Sequence, residues 1–264
     1  MKSKYLTKEE QKAILDSLYK PKLASYLKRI AAVILDVICV IILAVGIAYL
    51  FSILLNFDAT KDALDAKYIQ YGLKVYDESH KLVWVDLSSE EMSILYNAFE
   101  QDSDAVNLYG QLVDKTMIIP IIAASVSLLV FELIIPLCLK HGRTIGMYVS
   151  KIAMVTYDDI EVSFSNLFIR FLFGKLIICT LIPILCCLMI YFSMANIFIL
   201  IILALILIIN IVLLFVNKRH AAIPDILGKV YVCELEGQLF FYDVEELKKA
   251  KKDKAKELNI KDVY

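Results

Sequence analysis

Residues 171–215 form one almost unbroken apolar run of 45 residues, and no other feature constrains the fold as much. One crossing of a bilayer takes about 20 residues, so the run must cross, turn and cross back. Ser193-Met194-Ala195-Asn196 is its most polar point and marks the turn, which gives helices over 171–192 and 197–216. Two further runs, 30–55 and 117–139, are each long enough for one crossing. The first is too long for a signal-peptide core and lacks a small-residue cleavage site, so it reads as a permanent span. Composition agrees: 59% of residues are hydrophobic, against roughly 45–50% in soluble domains. The expected fold class is all-α membrane, a four-transmembrane-helix bundle.

Charge sorts the segments between the spans. Lys28 and Arg29, Lys140 and Arg143, Arg170, and Lys218 and Arg219 flank one side, whereas 56–116 holds five Lys against twelve Asp and Glu. Basic flanks stay in the cytoplasm, which puts both termini there and 56–116 outside, in a multi-pass protein of the cell membrane. Residues 1–29 then form a cytoplasmic N-terminal amphipathic segment. Thr7 and Glu10 fit a capping box opening a helix through about Tyr19, ended by Pro21. That helix either lies on the leaflet or is a solvated basic arm. The extracellular loop looks folded: 73–76 and 82–85 flank Asp77-Glu78-Ser79-His80 as a hairpin would, and Ser88 with Glu91 caps a helix through Phe99. The cytoplasmic loop 140–170 offers a hairpin of 152–157 and 160–164. The cytoplasmic tail 217–264 offers another, of 230–233 and 239–242, followed by a charged helix from Val244 to about Leu258. Neither hairpin has enough strands to stand alone, so they are expected to pair into one small cytoplasmic β element.

Several function classes drop out. No basic tract interleaved with aromatics points to nucleic acid. The cysteines lie in apolar runs or beside them, and none falls in 56–116, so no disulfide framework is expected. His80, His141 and His220 have no metal-site spacing. No nucleophile–base motif or nucleotide-binding loop is present. The expectation is a protein that is not an enzyme and uses no cofactor or metal.

An ordered set of residues resembles a known family. Arg29 and Asp36 open the first span, Gly142-Arg143-Thr144-Ile145-Gly146 follows the second, Arg170 opens the third, and Asp225 follows the last. This pattern resembles the RDD family of membrane proteins, named for an Arg and two Asp. Arg29, Asp36 and Asp225 match those positions, with Thr144 and Gly146 in the loop motif. The pattern departs at Met147, where the family usually has Lys, and at Pro224, where it often has His. The resemblance implies either exchange of a monovalent cation for protons or a place as a partner of larger membrane assemblies.

Helix geometry then ranks the polar residues. Arg29 and Asp36, seven apart, lie on one face about 10 Å apart along the axis. Side chains lean toward the helix N-terminus, so Arg29 leans away from Asp36 and is expected to snorkel, leaving Asp36 to find another partner. Asp36, Glu132, Lys175 and Asn210 fall at a similar depth on four helices. Charges in spans mark functional sites by default. Asp36 and Glu132 are therefore the candidate coupling carboxylates of a cation/proton site, supported by Arg29, Arg170, Lys175 and Asn210. The competing reading is a paired network that only holds the helices together, with Lys175 neutralising one carboxylate. Asp225 is expected to bond Arg219 or the Arg143 loop in a structural role. Expected partners are the lipid bilayer, monovalent cations and protons, and a second copy or a partner membrane protein, with no nucleic acid.

Overall fold

The computed structural model describes residues 17–191 and 197–257. The helix expected from Thr7 up to residue 16, the turn at 193–196 and residues 258–264 lie outside the described residues. In chain order, α1 (Tyr26–Leu54) leads to α2 (Phe57–Gln70), the hairpin β1 (Lys74–Tyr76) and β2 (Leu82–Trp84), and α3 (Ser89–Gln101). Then come α4 (Ser103–Cys138), α5 (Ile145–Val149), β3 (Ile152–Thr156), α6 (Phe164–Tyr191) and α7 (Ile197–Val216). The chain continues through α8 (Ile223–Leu227), β4 (Val230–Glu234) and α9 (Val244–Glu257).

Among the described residues, α1, α4, α6 and α7 are long and apolar enough to cross a membrane. Their surfaces require lipid: α7 buries none of its residues in the protein, and α1 exposes Ile34, Ile38 and Ile42. In a bilayer such faces cost nothing, because acyl chains are as apolar as the side chains. The chain is a membrane protein with several apolar spans. Two helices begin earlier than their apolar runs, at Ser103 and Phe164 instead of 117 and 171. Caps explain both starts. Asp102 Oδ1 accepts from the N–H of Asp104 and Ala105, and Ser163 forms a capping box with Asn166. Hydropathy finds where lipid touches a helix, whereas capping decides where its hydrogen bonding begins.

The chain divides into two compact units, one of them Ile42–Ala124. Its core gathers Leu64, Tyr68, Leu73, Phe99 and Ala105. Tyr68 stacks on Phe99 at 5.0 Å and meets Trp84 at 5.1 Å. The expected hairpin forms, pairing Lys74 with Trp84 and Tyr76 with Leu82, and the Ser88–Glu91 capping box opens α3. The polar helix α2 carried no apolar run to announce it.

In the other unit, β3 and β4 pair antiparallel from Ile152 opposite Glu234 to Thr156 opposite Val230. The expected pairing between the two segments is there, but neither local hairpin is a full ladder. Residues 160–164 contribute one bridge, Glu161 to Val155, because Ser163 is committed to capping α6. Residues 239–242 form no strand, and β4 instead meets Leu23 through a bridge at Cys233. Side chains alternate: Ile152, Met154, Val230 and Val232 join Ala32, Leu128 and Phe171 in one core, while Ala153, Val155, Tyr231 and Cys233 pack in another. A sheet covered on both faces is stable with few strands.

Candidate functional site

Two prolines set up the site. Pro136 and Pro183 have no N–H to donate, and each closely follows a stretch where the helix widens to i→i+5 bonding: Val130–Ile134 in α4 and Arg170–Leu181 in α6. The N–H of Ile135 reaches the carbonyl of Val130, and that of Ile182 the carbonyl of Ile177. Wide turns of this kind are rare and concentrate at functional sites. The first carries Glu132. The second carries Arg170 and Lys175.

Glu132, 3% exposed, accepts from Arg170 Nη1 at 3.0 Å and from Lys175 Nζ at 2.9 Å. Arg170 turns its Nε to Asp225 Oδ1 at 2.8 Å. A chain of alternating charge, Lys175–Glu132–Arg170–Asp225, thus ties α4, α6 and α8 together. Close backbone approach permits it. A Cβ on Gly174 would lie 2.6 Å from the Cβ of Pro224, and one on Gly228 would lie 2.8 Å from the Cβ of Arg170. Gly174 did not stand out in the sequence, although a small residue inside an apolar span is a usable sign of helix contact.

Asp36 is also buried, and its partners come from α5. Its Oδ2 accepts from Thr144 Oγ1 at 2.6 Å and its Oδ1 from the Gly146 N–H at 2.7 Å. Thr144 Oγ1 in turn accepts from the Met147 N–H at 3.2 Å and caps α5. So Thr144 and Gly146 do shape a turn, and the turn grips a carboxylate. The backbone of Gly146 lies against Ala32 of α1 with no room for a side chain.

Arg29 does not snorkel. It is 6% exposed and donates to the carbonyls of Ala24 at 3.2 Å, His220 at 2.7 Å, and Val232. Three main-chain oxygens supply what water would have supplied, and Arg29 makes no pair with Asp36. Asp225 likewise departs from expectation, bonding Arg170 in place of Arg219 or the Arg143 loop. Those two arginines lie over rings, Arg219 4.0 Å from Tyr157 and Arg143 5.0 Å from Tyr148. Asn210 donates to the Ile206 carbonyl at 3.0 Å and accepts from the Ile223 N–H at 3.3 Å.

Arg29, Asp36, Glu132, Arg170, Lys175, Asn210 and Asp225 all line one cavity of about 440 Å³. Thr144 and Gly146 are outside the lining and hold Asp36 in place. Met147 and Pro224, the two departures from the family pattern, also face the cavity. Its three cations and three carboxylates sum to zero charge. Among the described residues, no three His, Cys, Asp or Glu side chains converge as a metal cage would.

Comparison with known protein families gives a match to the RDD family over residues 23–229, from just before α1 through α8. No curated protein and no solved structure matches the chain.

Proposed function

We propose that this chain, which belongs to the RDD family of membrane proteins, exchanges a monovalent cation for protons across the cell membrane, by itself or as a component of a transport system. One observation carries the reading: Asp36, Glu132 and Lys175, from three different spans, open on one cavity. Ionisable groups are expensive within spans and are kept there for function. In this reading an entering cation competes with the Lys175 ammonium for Glu132 Oε1, with Asp36 as the second carboxylate. The charge of the site is unchanged when a protonated Asp36 releases its proton as the cation enters. Arg29, Arg170 and Asp225 hold the frame, and Asn210 adds a polar group to the wall. The protein is a carrier in this account and not an enzyme. The basic flanks of the spans support cytoplasmic termini. Four spans are few for a complete pathway, which favours a homo-oligomer or a partner membrane protein.

A second reading is favoured by the completeness of the pairing. Glu132 has two cations, Arg170 two carboxylates, Asp36 two donors and Arg29 three carbonyls. A closed network of this kind needs no ion, and suits a non-transporting subunit that binds another membrane protein.

Purified protein in proteoliposomes with an internal pH dye separates the two. Na+, K+ and Li+ are added in turn, with Asp36→Asn and Glu132→Gln alongside. Cation-triggered proton flux in the native protein, lost in folded variants, supports exchange. Absence of flux with every ion in folded, inserted protein rejects autonomous exchange of these cations and leaves the subunit reading.

A further inference from the structure

The cavity is much larger than a cation site requires. It holds about 440 Å³, whereas one water's share of liquid volume is about 30 Å³. Its size falls in the range of about 300–1,000 Å³ typical of small-molecule pockets, and most of its wall is apolar. Val33, Val37 and Ile41 line it, and yet they are 50%, 48% and 55% exposed on the molecular surface. Spaced four apart, they follow one face of α1. They form a rim with one side on the cavity and the other on lipid. The cavity is therefore entered sideways from the bilayer.

The polar end has a donor to spare. Lys175 Nζ carries three N–H groups, and its hydrogen bond to Glu132 Oε1 uses one. Its side chain is 22% exposed and faces the cavity. A ligand matching this arrangement has a long apolar body and a hydrogen-bond-accepting oxygen at one end. The molecules that surround the rim in a membrane have that form.

We infer that the cavity binds a long-chain acyl amphiphile entering from the bilayer, with its chain along Val33, Val37 and Ile41 and a head oxygen accepting from Lys175. This binding shares Lys175 with the exchange reading but is read by occupancy and by variants on the apolar wall, so it stands or falls separately from ion flux.

The test uses the full chain in proteoliposomes with palmitic acid carrying a diazirine in its tail, and in a second arm with phosphatidylglycerol carrying the same tail. Crosslinks made by light are mapped by peptide mass spectrometry. Label is expected to concentrate on 33–41 of α1 and 210–214 of α7. Val37→Trp fills the rim without touching the charge pairs and is expected to cut labelling about tenfold, equivalent to about 1.4 kcal/mol. Ile34→Trp serves as control, since Ile34 is 55% exposed but not part of the lining. Ile41→Trp makes the same test if Val37→Trp fails to insert. Label with the acid alone identifies a free fatty acid, and label with the phospholipid identifies a membrane lipid; both support the inference. Label spread evenly over the lipid-facing residues, or equal in Val37→Trp and Ile34→Trp, overturns it.

Discussion

Alanine at position 146 would place its methyl carbon 2.7 Å from the carbonyl carbon of Ala32 and 2.9 Å from its Cα, with the carbonyl oxygen nearer still. Carbon atoms settle at about 3.5–4.0 Å, so α5 must retreat from α1 by roughly 1 Å. These are backbone atoms, and no side chain can swing aside. The retreat also carries Gly146 N and Thr144 Oγ1 away from Asp36, now 2.7 and 2.6 Å away. At least one of the two distances then passes the limit of useful hydrogen bonding. Losing one hydrogen bond to a buried carboxylate costs about 1.5–3 kcal/mol, and forcing a methyl group into a filled contact costs about 1–3 kcal/mol. Gly146→Ala should therefore lose about 3–5 kcal/mol, or about 10 °C in midpoint, in thermal unfolding of the detergent-solubilised protein. Gly46→Ala and Gly110→Ala are the controls, because a Cβ at either meets nothing within 4 Å. Both sit in helices, where alanine is favoured over glycine. The penalty should shrink in an Asp36→Asn background, where the acceptor is uncharged, as a double-mutant cycle would register. If Gly146→Ala unfolds with the two controls, the grip of α5 on Asp36 is not what holds these elements together.

Arg170→Met leaves Asp225 without its ion pair and Glu132 with Lys175 alone. Breaking a buried pair costs about 3–5 kcal/mol, and adding Asp225→Asn should recover a large part of it in the same unfolding assay. The Ile42–Ala124 unit should show a window at acid pH. The Lys67 ammonium at 2.7 Å holds the Asp102 carboxyl at about 2, below its ordinary 3.8. A depressed carboxyl stabilises above its ordinary pKa, so the contribution stays whole above about pH 4 and is lost as pH falls toward 2. The chain's single tryptophan, Trp84, reports on this unit by fluorescence, and Asp102→Asn should abolish the transition in that window. Cys233 is fully buried on β4, and burial pushes its thiol up to about 12. It should resist maleimide at pH 8 in the folded protein and react once denatured, which peptide mass spectrometry would read directly.

Hydrophobic run length and basic flanks were enough to mark the spans, because the bilayer imposes its thickness on any sequence that crosses it. The same local chemistry made the Ser88–Glu91 cap, the β1–β2 hairpin and α9 legible, since each depends on residues a few positions apart. The depth estimate that placed Asp36, Glu132, Lys175 and Asn210 at one level also followed from helix rise alone. What each of them touches did not. Glu132 meets Arg170 and Lys175 across two spans, Asp36 is gripped by a turn 108 residues away, and Arg170 reaches Asp225 across 55 residues. Arg29 looked free to reach water because helix geometry shows where a side chain leans but not which carbonyls wait there. The sequence by itself determined how many apolar helices there are and which polar residues must be sheltered within them. Only the tertiary structure decided their partners, because which helix faces meet depends on packing between distant segments, such as the close backbone approaches at Gly146, Gly174 and Gly228, at distances no local pattern encodes.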